Sequence, residues 1–126
     1  MCEATPAAEI TLPDHEHSAR EARRFLSEAY CALHHSRVLD EAQLLVSELV
    51  TNAVRHGGPP VTVRVECVGE EGLRVSVRDG DPRPPVRRDV SLESEGGRGV
   101  ALVDILSDRW GVEAADPGKT VWFVLS

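Results

Sequence analysis

An excess of basic charge is missing from this sequence: 14 lysines and arginines stand against 21 aspartates and glutamates, a formal net charge of −7. A surface of that sign does not hold nucleic acid or an anionic membrane by bulk electrostatics. No direct nucleic-acid or membrane partner is therefore expected, and any anionic ligand must be held by local features. Cysteine is scarce as well. Cys2, Cys31 and Cys67 are odd in number, widely spaced and unaccompanied by a signal-peptide pattern. That excludes a disulfide framework and points to reduced thiols in a cytoplasmic protein. No apolar run approaches the roughly 20 residues that span a bilayer. Repeats and low-complexity tracts are absent, and lysine is almost so: Lys119 is the only one. At 126 residues the chain is near the usual size of one domain. The reading is a flexible leader over residues 1–8 and a single domain over 9–126.

What is present is patterned. "EITLP", from Glu9, suits a short edge strand. From Ser18 to Leu33, Ala19, Ala22, Leu26, Ala29, Tyr30 and Leu33 recur at helical steps, and Ser18 with Glu21 has the spacing of a capping box. A second helix is expected from Val38 to His56, with Val38, Ala42, Leu45, Leu49, Val50 and Ala53 buried; Gly57, Gly58 and two prolines stop it. The period then becomes two. Val61, Val63, Val65 and Cys67 fall on one face, as do Leu73, Val75 and Val77, with a Gly-Glu-Glu-Gly hairpin loop between. Asp79 to Glu95 is rich in proline and charge and reads as a long mobile loop. "GGRG" opens an apolar helix to about Ser107, and "DRWGVEA" and "KTVWFVLS" close the chain as strands. This order implies an α+β fold, a two-layer sandwich with helices on one face of a mixed, mainly antiparallel sheet.

Three features carry candidate chemistry. Glu48 and Asn52 are four residues apart and so project from one stripe of the second helix. A carboxamide oxygen is a hard ligand suited to magnesium, and a nearby carboxylate can accept a proton or order a water. Asp79 ends a strand of alternating valines, where a carboxylate can accept a hydrogen bond from an exocyclic amine. The glycines of "EGGRGV" open a helix whose free N–H groups attract phosphate. Each feature also has an ordinary structural alternative: a wetted helix stripe, a strand turning at Asp-Gly, and a plain helix entry. Other patterns fail. "PGKT" at Pro117–Thr120 lacks the first P-loop glycine, since Glu113 stands there, and a strand follows it. A zinc site from Cys31, His34 and His35, with His15 and His17, matches neither standard pattern. Cys31 reads instead as a small buried apolar residue.

Taken in order, "ELVTNAVRHG", "VSVRDGDP", "GGRGVALV" and "GKTVWFVL" resemble the N box, the G1 box, the G2 box and the closing strand of the GHKL (Bergerat) ATP-binding fold. The resemblance spans almost the whole chain and is greatest to the bacterial anti-sigma serine-kinase branch. It implies a magnesium-binding role for Asn52, a general base at Glu48 and an adenine-amine acceptor at Asp79. It further implies phosphate contacts at Gly97, Arg98 and Gly99, and a position near the adenine for Thr120. ATP and Mg2+ are the implied ligands. The implied function is a serine/threonine-protein kinase that phosphorylates an anti-anti-sigma protein and captures a sigma factor, acting as a homodimer through the first helix and edge strand. The alternative is a nucleotide-degenerate, protein-binding module without kinase turnover. The chain departs from the family's D-x-G-x-G at Asp81 and Arg83, which replace both later glycines. Arg83, Arg87 and Arg88, with Arg98, could offset the added charge.

Overall fold

Alternating valines build the middle of the sheet. In the computed structural model, which describes residues 6–13, 16–31, 35–56, 58, 60–69, 72–80, 102–114 and 118–126, strand β2 spans Val61–Cys67 and β3 spans Leu73–Asp79. They pair antiparallel, with Val63 opposite Val77 and Val65 opposite Val75. Strand β1, Ala8–Leu12, adds to β2 with Ile10 opposite Val63. Ala8, the last residue of the expected leader, thus belongs to the sheet. Strand β4, Arg109–Ala114, lies on the far edge. Strand β5, Lys119–Leu125, is inserted between β3 and β4, giving the order β1-β2-β3-β5-β4. All the pairings among the described strands are antiparallel.

Helices α1, Ser18–Ala29, and α2, Leu39–His56, cover one face of this sheet. Their apolar stripes supply Ala22, Leu26, Ala42, Leu45, Val46, Leu49, Val50 and Ala53 to one core with Val61, Val63, Val65, Leu73, Val75, Val77, Phe123 and Leu125. Val103, from the helical segment 102–106, joins the same core. The two helices are locked to each other by polar contacts as well. Arg23 donates to the Ser47 hydroxyl at 2.9 Å, and the Gln43 amide donates to the Arg23 carbonyl at 3.1 Å, tying α1 to α2. The expected long loop and the start of the final helix lie outside the described residues.

The N-terminus of α1 differs from its sequence pattern. His17 is the cap residue and makes no side-chain capping bond. Ser18 is fully buried and its hydroxyl donates to the Pro13 carbonyl, which ties the first residue of α1 to the residue after β1. A nearby backbone carbonyl has taken the hydroxyl that the capping-box spacing assigned to the helix.

The hairpin between β2 and β3 turns on Gly72. Its φ is +107°, and a Cβ there would lie 2.0 Å from the Leu125 carbonyl oxygen, so only glycine fits. The Gly72 carbonyl receives the Val68 N–H at 2.9 Å and also a hydrogen bond from His35 Nε2 at 3.0 Å. The N–H of Cys31 donates to the other ring nitrogen of His35, Nδ1, at 2.9 Å. A carbonyl only accepts, so the pair of contacts fixes neutral His35 as the Nε2–H tautomer.

Candidate functional site

The site is assembled at the end of the sheet where α2 stops and β3 finishes. Glu48 and Asn52 both lie half-buried on α2, beside the buried Leu49 and Ala53. Leu49 and Ala53 anchor the helix to the core, so the adjacent stripe carrying the two polar residues is held at the layer boundary. Just beyond α2, the Gly58 carbonyl accepts the Gly80 N–H at 2.6 Å. That bond joins the exit of the helix to the residue after Asp79. Asn52, one turn before the end of α2, and Asp79, the last residue of β3, are therefore brought to the same end of the fold.

Asp79 shares the parity of Leu73, Val75 and Val77 and so faces the helices; it is only 5% exposed. Its cross-strand partner is Lys119, the first residue of β5. Their side chains meet, Nζ to Oδ2, at 2.8 Å. Gly118 makes the approach possible. With φ at +101°, it sits where a Cβ would be 1.8 Å from the Asp79 carbonyl oxygen. The ammonium keeps the carboxylate paired in a place where a bare charge would be costly. Sequence reasoning passed over Lys119. Its signal was there in the strand period: Lys119 has the same parity as Val121, Phe123 and Leu125, which face the core.

Thr120 has the opposite parity. It stands across from Arg78 rather than Asp79, on the sheet face away from the helices. Thr120, expected near the adenine, thus lies on the sheet face opposite to that of Asp79, and Lys119 is the residue directly across from Asp79. Gly97, Arg98 and Gly99 lie outside the described residues, as do Asp81, Arg83, Arg87 and Arg88. Cys31 is buried, as its apolar reading required, and both ring nitrogens of His35 are engaged in backbone hydrogen bonds.

The open sheet face carries a shallow groove of about 590 Å³, lined in part by Arg64, Arg74, Arg78, Ser76 and Thr120. Arg64 is matched within it. Arg64 contacts Glu66 at 3.0 Å and Glu9 at 3.4 Å, and the Glu66 hydrogen bond leads in raising its pKa above the ordinary arginine value. Arg74 stacks over Trp122 with its guanidinium 4.6 Å from the ring centre.

The Asn52 carboxamide and Glu48 carboxylate are the ligand types a hard divalent cation takes, and their shared stripe lets both approach one ion or its water. No helix among the described residues is long and apolar enough to cross a membrane.

Comparison with known proteins agrees with this architecture. A Streptomyces coelicolor (strain ATCC BAA-471 / A3(2) / M145) protein, Uncharacterized protein SCO4941, is 39% identical over 80 residues, covering 60% of this chain and 76% of that protein. The crystal structure of the RsbU and RsbW domains of Rv1364c from Mycobacterium tuberculosis superposes with a TM-score of 0.70 at 23% identity. That match covers 96% of this chain, and the chain spans 32% of that structure's length, so it establishes a shared fold. Residues 12–125 match the family described as Histidine kinase-like ATPase domain. The chain belongs to that family, and ATP binding is the property that membership carries.

Proposed function

We propose that this chain is an ATP-binding regulatory domain that acts in the manner of an anti-sigma factor and phosphorylates a serine or threonine of an anti-anti-sigma partner. The observation that carries the reading is the placement of Asn52 and Asp79 at one end of the fold, fastened by the Gly58–Gly80 hydrogen bond, with Glu48 one turn back from Asn52 on the same helix. The matched structure from M. tuberculosis, which contains an RsbW domain, supports the regulatory assignment.

Asn52 would hold a magnesium ion, whose charge would lower the cost of gathering phosphate oxygens. Asp79 receives the adenine amine. Glu48 accepts the proton of the attacking hydroxyl as its oxygen bonds to the γ-phosphorus; the bond from that phosphorus to the β,γ-bridging oxygen breaks, and ADP leaves with the electron pair. Positioning and electrostatics supply most of the rate in such transfers.

A second reading is a partner-binding module without turnover. Two observations favour it: Asp79 is already engaged by Lys119, and Asp81 and Arg83 replace the later G1 glycines. Calorimetric titration with ATP in excess magnesium, on the native chain and on Asp79→Asn, tests the nucleotide site. Radiolabel from γ-labelled ATP appearing on a co-purified anti-anti-sigma protein, and disappearing with Glu48→Ala while ATP binding persists, separates the kinase from the module. Transfer that survives Glu48→Ala removes the role assigned to that residue.

A further inference from the structure

We propose that Lys119 is a specificity-determining residue that admits 6-oxopurine nucleotides to this site alongside ATP. The inference rests on the nucleotide-binding reading above and extends it to the base.

A lone carboxylate at the end of a strand reads a purine by its charge and its acceptor oxygens. It takes the exocyclic amine of adenine and repels the carbonyl oxygen that guanine and hypoxanthine place at the same position. This chain does not present a lone carboxylate. Lys119 Nζ lies 2.8 Å from Asp79 Oδ2, and the two residues are direct partners across β3 and β5 on the helix-facing side. An ammonium has three donors and no acceptor, so the pair offers a donor beside an acceptor and is neutral as a unit. The edge of a 6-oxopurine is complementary to that arrangement: its O6 accepts from the ammonium and its N1–H donates to the carboxylate.

Exposure decides which member of the pair an arriving base meets. The Lys119 side chain is 27% exposed and that of Asp79 only 6%. The reachable group is the donor, and a carbonyl oxygen is the ligand atom that suits it. Adenine can also be held, through its amine on the carboxylate and its N1 on the ammonium, but the repulsion that would exclude the oxo bases has been removed. Gly118 fixes the geometry, because its close approach to the Asp79 carbonyl sets the position of the next residue, Lys119.

The test compares ATP, GTP and ITP by calorimetry on the whole chain in excess magnesium; ITP isolates the change at position 6. The native chain is expected to bind ITP and GTP within about tenfold of ATP. Lys119→Thr should then weaken ITP and GTP relative to ATP by about tenfold or more, while Lys119→Arg, which keeps the cation, holds the native ratio. Exclusion of ITP by the native chain by more than about a hundredfold overturns the inference without any variant, and so does an unchanged ratio in folded Lys119→Thr. ATP binding in those two cases leaves the nucleotide reading standing. Failure of all three nucleotides to bind the native chain overturns both.

Discussion

Asp79 and Lys119 close an ion pair of 2.8 Å between the ends of β3 and β5, with the carboxylate almost wholly removed from solvent. Breaking such a pair from one side deprives a buried charge of its counter-ion, which costs more than the pair contributes when both groups are present. Lys119→Met is expected to lower unfolding stability by about 3 kcal/mol, the low end of the range for buried pairs, since Lys119 retains some solvent contact. The Asp79→Asn/Lys119→Met double variant should recover more than half of that loss. Urea unfolding of the native chain, both single variants and the double variant gives the coupling directly; additive losses would show that the two groups do not act as a pair.

Gly118 carries the close approach that makes this pair. Gly118→Ala places a methyl group against the Asp79 carbonyl oxygen in a backbone conformation that L side chains avoid. The strand end must then move, at a cost of about 2 kcal/mol or more. A thermal unfolding midpoint unchanged from that of the native chain would contradict the assigned backbone geometry.

His35 joins three parts of the chain through one ring: the backbone after α1, the start of the α2 segment and the β2–β3 hairpin. His35→Leu fills a similar volume yet leaves the Cys31 N–H and the Gly72 carbonyl without the ring. Loss of two buried hydrogen bonds predicts a destabilisation of about 2–5 kcal/mol. Hydrogen exchange should quicken at the Cys31 amide well before the middle of β3 is affected. Uniform acceleration across the sheet would argue against a local role.

Thr120 faces away from the helices, opposite Arg78. Thr120→Ala should therefore leave ATP affinity within about twofold of native, since each tenfold change would need some 1.4 kcal/mol from a side chain on the other face of the sheet. A large loss of affinity, measured by the same titration, would place the nucleotide on the open face.

Much of this architecture is legible in the residues themselves. Val61 to Val77 alternate so regularly that two strands, their pairing and their buried face follow from parity alone. The stripe from Ala42 to Ala53 likewise fixes which side of α2 is buried and so where Glu48 and Asn52 emerge. Two features were hidden for different physical reasons. Ser18 has the right spacing for a cap, but its buried hydroxyl is taken by the Pro13 carbonyl five residues earlier, a competing backbone acceptor that the capping-box spacing does not report. The Asp79–Lys119 pair depends on which strands are neighbours. Strand parity puts Lys119 on the helix side, but only the sheet order brings it opposite Asp79.

That order has a consequence for assembly. β4 precedes β5 along the chain, yet its described sheet partner is β5, which also pairs with β3. During vectorial synthesis β4 leaves the ribosome before the strand it needs, and β3 waits with an uncovered edge through the same interval. β5 joins the two halves of the sheet and holds Lys119 opposite Asp79. An N-terminal fragment ending before Lys119 would expose the edges of β3 and β4 that β5 covers rather than form a smaller version of the domain.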